Sequence, residues 1–570
     1  MNEEAFLPLL NSYVEKWAHE APDKAALIQY EDGKEITYKR FASLVDFFAL
    51  RLLEMGVCKG DRVATMLVLV PEHVLLMYAC FKIGAICAPL DVRLKEQEVV
   101  RDLNKIEPKA FFFLGNTPVR DFREVGKAVQ QGCPYIRHLV QFTPDPKEGE
   151  LLPGAIAITE MMDKKRLLLL KVKDLFTRGL AKAYAQVDSK TPALIIYTTG
   201  TTGAPKPAML NHENIIVQNE VLKRGTDMGT KTRVLINLPP SHVGCVTENL
   251  MTALYVGGSA VLLRIFDVKN TLEAIQKYQV NTLGMIPTQF RLVWNHPDFD
   301  RYDLSSLQFV VYGGSSVDVA FLEKMASMAP KFGTGIGMTE SGGVVTFTPP
   351  GISIEEMAGQ VGRFFPDLGP VSIRKPMNAD GTAGEELPDG EIGEICYHPP
   401  IVFMGYYNQP EATAQTISKE GLLYTGDLGY FKPLHSAEIG SYRALYLAGR
   451  RKFVIKQSGY LVFPDEVEAH IAEHPAVDVA DVEGVAHEIF GEGIFAFVRP
   501  KPGMALTAEE VLEQCKKIAS YKRPIYVELW EAGKPFPLTR SAKVDKLEMA
   551  RLAAEIVEAL REKGGWDRSK

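Results

Sequence analysis

The chain of 570 residues lacks the features that mark several large classes of protein. It has no excess of basic residues, because 64 Lys and Arg stand against 71 Asp and Glu, so nucleic acid is not an expected partner. Its seven cysteines include no C-x-x-C pair, which argues against a disulfide framework or a zinc site and favours reduced thiols in a cytoplasm. The strongest apolar run, residues 64–70, ends at Pro71 and is too short to span a bilayer, and the acidic amino terminus does not fit a secretory signal.

The composition is typical of a large globular protein, with 46% hydrophobic and 24% charged residues. A chain of this length is expected to form more than one domain. Residues 38–56 repeat apolar side chains at helical spacing, residues 61–70 predict a buried strand, and residues 72–85 predict the next helix. This alternation predicts an α/β fold with layered, mostly parallel sheets and helices.

A second change of composition falls near Leu447. A Gly-, Asp- and Pro-rich stretch precedes it, and short strand and helix patterns resume after a glycine-flanked basic connector. We therefore predict a large N-terminal domain, residues 1–450, and a small α+β C-terminal domain, residues 451–570. The connector is predicted to be a hinge, which would make the small domain mobile.

Residues 161–186 form a basic, leucine-rich segment that predicts an amphipathic helix. One interpretation is a helix that binds a membrane surface or a partner. The other, which we favour because such stripes are so often part of a core, is a surface helix whose leucines pack on the body of the protein.

Residues 198–203 hold four threonines and two glycines after an apolar strand, and Lys206 follows. Glycines let backbone amides turn toward a ligand, hydroxyls add donors and a lysine adds positive charge, a combination suited to a polyphosphate. The pattern differs from the Walker A loop, because Lys206 lies between Pro205 and Pro207 instead of opening a helix.

The segment YTTGTTGAPK, residues 197–206, resembles the phosphate loop of the adenylate-forming enzymes, the superfamily of acyl-CoA synthetases, aryl-CoA ligases, luciferases and peptide-synthetase adenylation domains. Further motifs make the resemblance specific, because they follow in the family's order over almost the whole chain. These motifs are LPPSHVG (238–244), VVYGGSS (310–316), GIGMTES (335–341), LLYTGDLGY (422–430), LAGRRKFVIKQSGY (447–460) and PLTRSAKVDKLE (537–548).

The resemblance implies where the site lies. It assigns ATP and the acid to the N-terminal domain and a catalytic lysine to the mobile C-terminal domain, with Lys452 at the hinge. Catalytic roles are implied for Lys543, His242, Lys206, Thr339 and Glu340, and metal contacts for Glu340 and Thr198. Nucleotide and CoA contacts are implied for Thr198, Thr199, Gly200, Thr201, Thr202, Gly203, Lys206, Gly314, Ser315, Gly335, Ile336, Gly337, Thr339, Asp427, Arg450, Lys456, Lys543, Ser458 and Gly459.

Several positions depart from the family pattern. Pro207 replaces a usual glycine, Ile336 stands where an aromatic residue commonly stacks on adenine, and Phe453 follows the hinge lysine where an acidic residue is frequent. Ala542 replaces the glycine before the catalytic lysine, and Leu538 replaces a lysine. None of these changes removes a charged group that the implied chemistry needs.

The resemblance implies an acid–thiol ligase, an AMP-forming acyl-CoA synthetase that uses ATP, Mg²⁺ and coenzyme A on a small carboxylic acid. Two alternatives stay open: an adenylating enzyme that loads the pantetheine of a carrier protein, and a non-catalytic nucleotide-binding relative. The class of acid, the direction of the reaction and homodimerisation are also open at this point.

Overall fold

The computed structural model describes residues 6–143, 147, 149–198, 205–314, 317–436, 438–457, 460–539 and 543–567. The α-helices of these residues are α1 (Leu10–Glu20), α2 (Tyr38–Glu54), α3 (Pro71–Ile83), α4 (Glu96–Ile106), α5 (Arg123–Gly132), α6 (Ile158–Met161), α7 (Lys164–Thr177), α8 (Gly179–Tyr184), α9 (His212–Thr226), α10 (Thr252–Tyr255), α11 (Val268–Tyr278), α12 (Pro287–Trp294), α13 (Val319–Met328), α14 (Ile354–Met357), α15 (Pro410–Ala414), α16 (Pro464–Ala472), α17 (Ala508–Cys515) and α18 (Lys546–Glu562).

The strands of the same residues are β1 (Ala25–Gln29), β2 (Glu35–Thr37), β3 (Arg62–Met66), β4 (Ile86–Pro89), β5 (Ala110–Leu114), β6 (His138–Phe142), β7 (Ile156–Ala157), β8 (Pro192–Tyr197), β9 (Pro207–Asn211), β10 (Arg233–Ile236), β11 (Ser259–Leu262), β12 (Thr282–Met285), β13 (Phe309–Tyr312), β14 (Lys331–Gly333), β15 (Gly337–Met338), β16 (Gly343–Val344), β17 (Thr346–Phe347), β18 (Arg363–Phe364), β19 (Val371–Arg374), β20 (Gly393–Tyr397), β21 (Leu423–Ser436), β22 (Gly440–Arg450), β23 (Ile455–Gln457), β24 (Tyr460–Val462), β25 (Val477–His487), β26 (Gly491–Pro500) and β27 (Tyr526–Leu529).

Two large sheets organise the N-terminal part of the chain. One has the strand order β7-β6-β5-β3-β4-β8-β9 and the other the order β14-β13-β12-β10-β11-β1-β2. Neighbouring strands run parallel in both sheets except at the edge pairs β8–β9 and β1–β2, which are antiparallel. An antiparallel sheet of order β19-β20-β21-β22 follows. The predicted α/β architecture of layered, mostly parallel sheets is confirmed.

Helix α2 shows how local sequence produces these elements. Buried Phe41, Val45 and Phe48 recur at helical spacing and face the core. The side chain of Thr37 accepts a hydrogen bond from the first turn, and Gly56 takes the positive φ of 74° that ends the helix. The predicted helix, strand and helix of residues 38–85 thus form α2, β3 and α3.

The C-terminal part has a hydrophobic core of its own. Two clusters of buried apolar side chains are built from residues 455–566, on the sheet β24-β23-β26-β25 with β27 and on helices α16 to α18. The other clusters of buried residues extend no further than Leu445. A smaller C-terminal domain is therefore present, whereas its boundary at residues 450 and 451 stays a prediction.

The basic segment, residues 161–186, differs from the expectation. The chain adopts a positive φ of 51° at Arg178, which separates α7 from α8. Leu170 and Leu180 are buried, but Leu175 and Phe176 are 77% and 86% exposed. The favoured interpretation, that the leucine stripe packs on the body, is wrong for most of α7. Within the parts of the chain that the structure describes, each helix lacks the length or the apolarity to cross a membrane.

A half-buried lysine binds several carboxylates of the C-terminal domain close to the start of α18. Lys546 Nζ lies 2.5 Å from Glu468 Oε1, 2.7 Å from Asp481 Oδ1 and 3.6 Å from Glu483 Oε1. Burial raises the pKa of Glu468 and Glu483. Burial alone would lower the pKa of Lys546, but the surrounding carboxylates outweigh it and raise that pKa. The lysine therefore compensates the negative charge buried in this domain.

We expect Lys546→Met to destabilise the C-terminal domain by roughly 3–5 kcal/mol, because it leaves buried carboxylates without their cation. Urea unfolding followed by tryptophan fluorescence measures the loss, since Trp530 and Trp566 lie in this domain. The exposed Lys563 supplies the control Lys563→Met, which should stay within about 0.5 kcal/mol of the parent protein. Equal stability of the two variants would contradict the assigned role.

Candidate active site

A cleft of about 1970 Å³ collects residues from both parts of the chain. Asn237, Ile286 and Gly313 line it, and each directly follows the carboxyl end of a parallel strand, namely β10, β12 and β13. Ligands of open α/β sheets usually bind at such an edge. Thr539 and Lys543 of the C-terminal domain also line the cleft, so groups far apart in sequence meet there.

The two ends of the threonine-rich loop lie at this cleft. Because β8 and β9 form an antiparallel hairpin, Thr198 N donates to Lys206 O at 2.9 Å and Lys206 N donates to Thr198 Oγ1 at 3.3 Å. Both residues line the cleft. The predicted phosphate-binding residues between them lie outside the described residues: Thr199, Gly200, Thr201, Thr202 and Gly203.

Glu340 is a buried carboxylate on the wall of the cleft. It lies in the 3₁₀ turn Thr339–Ser341, is 7% exposed and accepts a hydrogen bond at 2.6 Å from the hydroxyl of Tyr406. Lys206 Nζ lies 4.9 Å from the ring centroid of Tyr406. Burial raises the pKa of Glu340, while the Tyr406 hydrogen bond and the charges of Lys206 and Arg450 oppose that rise. Thr339 lines the cleft beside it.

Three of the predicted nucleotide-binding glycines provide a wall of bare backbone. A Cβ atom on Gly335 would lie 2.0 Å from Thr346 O, and one on Gly337 would lie 2.1 Å from Gly343 O. Gly314 has a φ of 92° and also lines the cleft. Ile336 packs in the core with 9% exposure, so its side chain is turned away from the predicted adenine site.

Asp427 and Arg450 form an ion pair, and Arg450 lines the cleft. They face each other across β21 and β22, with Arg450 Nε 2.8 Å from Asp427 Oδ1. Burial raises the pKa of Asp427, and the charges of Arg450 and Lys543 oppose the rise. The next residue, Arg451, pairs with the buried Glu394 at 2.9 Å. Ion pairs with carboxylates therefore hold Arg450 and Arg451 in place near the junction of the two domains.

Lys543 projects from the C-terminal domain into the cleft. Two hydrogen bonds join it to Thr539, from Thr539 N to Lys543 O at 2.7 Å and from Lys543 N to Thr539 Oγ1 at 3.3 Å. A Cβ atom on Gly314 would lie 3.6 Å from Lys543 Cε, so the lysine reaches the nucleotide wall. Desolvation and then the charge of Arg450 lower the pKa of Lys543, while Asp427 and Glu248 oppose that shift.

His242 lines the cleft and faces Asp91. The two side chains approach to 3.8 Å, from His242 Nε2 to Asp91 Oδ2. Burial would raise the pKa of Asp91, but hydrogen bonds from Arg93 outweigh it and lower that pKa. Burial lowers the pKa of His242, and Arg93 and Lys543 add to this effect. His242 is therefore a neutral imidazole at pH 7.

Glu248 is a site residue that the sequence motifs did not reveal. It lies on the π-helical segment Gly244–Met251, a distortion often found at functional sites, and it lines the cleft near His242. Burial raises the pKa of Glu248 to about 7, against a backbone hydrogen bond from Val344 and the charge of Lys543. The feature of the sequence that could have indicated Glu248 is that it is a carboxylate within the apolar run of residues 243–256.

Other polar groups also line the cleft. Asn237 Oδ1 and Nδ2, Ser241 Oγ and His242 Nε2 are buried and have no hydrogen-bond partner among the described residues. Because unpaired buried polar groups are costly, these atoms are suited to a polar ligand. Val243, Gly244 and Met285 also line the cleft.

The remaining predicted residues do not join this cluster. Lys456 is exposed on β23 and, like Lys452 of the 3₁₀ turn Arg451–Phe453, does not line the cleft. Ser315, Ser458 and Gly459 lie outside the described residues. Contacts of these residues with nucleotide or CoA therefore stay predictions.

The predicted magnesium contacts fit a cation that is shared with a phosphate ligand. Within the described part of the chain no group of three or more His, Cys, Asp or Glu side chains could hold a metal ion alone. The buried carboxylate of Glu340 and the hydroxyl of Thr198 are oxygen ligands of the kind that Mg²⁺ prefers, and Mg²⁺ usually takes few protein ligands beside phosphate and water.

Lysines and arginines gathered around a glycine-lined wall define a nucleotide-dependent enzyme that acts on an anionic substrate. The chain belongs to the AMP-binding enzyme family, whose sequence model matches residues 14–407, and the model of the AMP-binding enzyme C-terminal domain matches residues 466–543. The predicted family is confirmed.

Named relatives match over nearly the whole chain. The mitochondrial medium-chain acyl-CoA ligase ACSF2 of Macaca fascicularis is 27% identical over 556 residues, which cover 94% of this chain and 85% of the relative. The fold is similar to that of ATP-bound MatB from Rhodopseudomonas palustris, with a TM-score of 0.76, 23% identity and coverage of 96% and 99%. It is also similar to the anthranilate CoA ligase AuaEII in complex with anthranoyl-AMP, with a TM-score of 0.77, 22% identity and coverage of 97% and 98%.

We expect the apparent KM for the acid substrate to rise by roughly three- to tenfold between about pH 6 and about pH 8. The pKa of Glu248 is raised to about 7, so this carboxyl is neutral below that pH and adds a negative charge to the cleft above it, which would repel an acid anion. Glu248→Gln should flatten this dependence, because the amide keeps the shape without the charge. Initial rates of pyrophosphate release measure both proteins.

The exposed Glu323 supplies the control for this pH experiment. Glu323→Gln should retain the pH dependence of the parent protein. A Glu248→Gln protein with the same steep rise in KM would show that another group titrates in this range.

Proposed function

We propose that the protein is an AMP-forming acyl-CoA synthetase. It joins a carboxylic acid to the α-phosphate of ATP, releases pyrophosphate, and then transfers the acyl group from the acyl-adenylate to the thiol of CoA. Family membership supports this activity. So does the 27% sequence identity with a medium-chain acyl-CoA ligase, which extends over 94% of this chain. The observation that carries it is the position of Lys543, which lines the cleft together with Arg450 and interacts electrostatically with Arg450 and Asp427.

The first step is limited by electrostatic repulsion. An acid anion must approach a triphosphate that carries about four negative charges, and like charges repel strongly in a partly desolvated cleft. Lys206, Arg450 and Lys543 supply positive charge along the path, and such preorganised charge is the usual basis of phosphoryl transfer. We assign to Lys543 the positive charge beside the bond that forms between the acid oxygen and the α-phosphorus.

The other residues hold the reactants. The backbone at Gly314, Gly335 and Gly337 contacts the adenine. Asp427 and Arg450 bind the ribose, and His242 lies beside the acid. Glu340 and Thr198 would hold Mg²⁺, which neutralises phosphate charge when bound. Neutral His242 can donate one hydrogen bond to the acid carboxylate without adding a charge.

The second step requires a different arrangement, because a thiol must reach the carbonyl that Lys543 covers. We propose that the small domain rotates about Lys452, withdraws Lys543 and brings Ser458 and Gly459 over the cleft. The ion pairs of Arg450 and Arg451 with Asp427 and Glu394 hold the N-terminal side of this hinge in place.

Acid-dependent exchange of labelled pyrophosphate into ATP tests the proposal. A panel of acids, from short aliphatic to aromatic, is supplied with Mg²⁺, and thioester formation is then compared with free CoA and with a carrier protein. Exchange with thioester on CoA supports the synthetase. Thioester on the carrier alone would indicate the carrier-loading alternative, and lack of exchange with every acid would indicate a non-catalytic relative. A cytoplasmic location and homodimerisation are further proposals.

We expect Lys543→Ala to lower the rate of pyrophosphate exchange by about 10² to 10³. Thioester formation from supplied acyl-AMP and CoA should be largely retained, because the lysine acts in the first step only. The control is Lys534→Ala, an exposed lysine of the same domain. Equal loss of both half-reactions would refute the assignment of Lys543.

We expect Lys452→Pro to act on the opposite half-reaction. A fixed φ at the hinge hinders the rotation, so thioester formation should fall roughly tenfold or more while pyrophosphate exchange changes by less than about threefold. Lys452→Ala removes the side chain without fixing the backbone and serves as the control. If both steps of the proline variant ran at full rate, the hinge would lie elsewhere.

A further inference from the structure

Helix α7 exposes five apolar side chains within a stretch of nine residues. Leu168, Leu169, Val172, Leu175 and Phe176 are 65%, 69%, 45%, 77% and 86% exposed. We call these five side chains the apolar face of α7. Single exposed apolar side chains are normal, but a contiguous group marks an interaction site.

These side chains form one continuous strip. At 100° per residue they fall within an arc of about 120° on the helix. The opposite side of the helix carries Leu167 and Leu170, which pack against the core, and Asp174, whose side chain accepts a hydrogen bond at 2.9 Å from Leu180 N. The helix is therefore attached by its other side, which leaves the apolar face toward solvent.

The attachment of α7 is firm at its beginning. Asp163 caps the helix by accepting a hydrogen bond at 2.7 Å from Arg166 N, and Arg166 Nη2 lies 2.9 Å from Glu54 Oε1 on α2. The strip is thus held in a fixed orientation on the N-terminal domain.

Basic side chains surround the strip. By helical position Lys164 and Lys171 flank one edge and Lys173 flanks the other, while Lys165 lies over the first turn. Residues 161–186 contain seven basic and two acidic side chains, a net charge of +5 in a chain whose formal charge is −7. This separation of charge indicates a negatively charged partner.

We propose that the apolar face of α7 docks the protein on the surface of an anionic phospholipid bilayer, with the helix lying in the plane of the headgroups. An apolar strip with lysines along both edges is the pattern of interfacial helices, in which the apolar residues enter the acyl boundary and the lysines contact anionic headgroups. The proposal does not depend on the proposed enzymatic function.

The dimensions of the strip favour a bilayer over a protein partner. A helix of 14 residues is about 21 Å long, and a strip roughly 10 Å wide covers on the order of 200 Å², whereas a stable protein interface buries about 800 Å² on each partner. A second copy of this chain would also bring two clusters of +5 together. A lipid surface accepts a small convex face and supplies the opposite charge.

Flotation of the full-length protein with lipid vesicles tests this proposal. Vesicles of phosphatidylcholine alone are compared with vesicles that also contain about 30% phosphatidylserine, at low and at high salt. We expect at least a tenfold stronger partition onto the anionic vesicles at low salt, and a marked loss of that partition at high salt.

Two double variants separate the apolar and the electrostatic contributions. Leu175→Ser with Phe176→Ser removes the most exposed apolar groups, and Lys171→Gln with Lys173→Gln removes charge from both edges. We expect each to lower the partition at least fivefold, with unchanged melting temperature because all four side chains are exposed. Ile489→Ser, at a 55% exposed apolar residue of the C-terminal domain, should bind as the parent protein does.

Several outcomes would overturn the proposal. They are lack of binding to anionic vesicles, equal binding to both kinds of vesicle, and binding that neither double variant reduces. If light scattering instead showed a dimer that Leu175→Ser with Phe176→Ser dissociates, while vesicles bound no protein, the apolar face would be a contact between copies of this chain.

Discussion

The pairing of Arg450 with Asp427 is the interaction on which the cleft depends. Because the two residues face each other across β21 and β22, the sheet fixes the guanidinium at the cleft before a ligand arrives. The positive charge of Lys543 lies close to that of Arg450, and the carboxylates of Asp427 and Glu248 offset the repulsion between the two cations. The positive charge that an acid and a nucleotide need is therefore assembled in advance and balanced by protein carboxylates.

The carboxyl groups around the cleft differ in the direction of their pKa shifts because their surroundings differ. Asp91 is held as an anion by the hydrogen bonds of Arg93, whereas burial raises the pKa of Glu340 and Glu248. When carboxyl groups of one site differ in pKa in this way, the site can bind both cations and anions. Glu340 is suited to a cation, whereas Glu248 titrates at about pH 7 and so changes its charge near neutral pH.

Two departures from the family pattern have simple structural explanations. Pro207 begins the outer strand of an antiparallel edge pair, where a residue without an N–H is tolerated, and its carbonyl accepts a hydrogen bond from Tyr407 N at 2.8 Å. Ile336 fills the core behind two glycines that are crowded by backbone oxygens. The cleft wall at that position consequently consists of backbone, which needs no particular side chain.

The sequence by itself determined the family and the α/β layers, because helical and strand periodicity and ordered motifs are local properties. From the same motifs it predicts Lys206, Glu340, Asp427 and Lys543 as site residues. Tertiary structure alone decided that Glu248 lines the cleft, since a single carboxylate in an apolar run carries no motif. It also decided that α7 turns its leucines outward. A leucine stripe has the same spacing whether it faces a core or solvent, and only the packing of distant segments determines which of the two surrounds it.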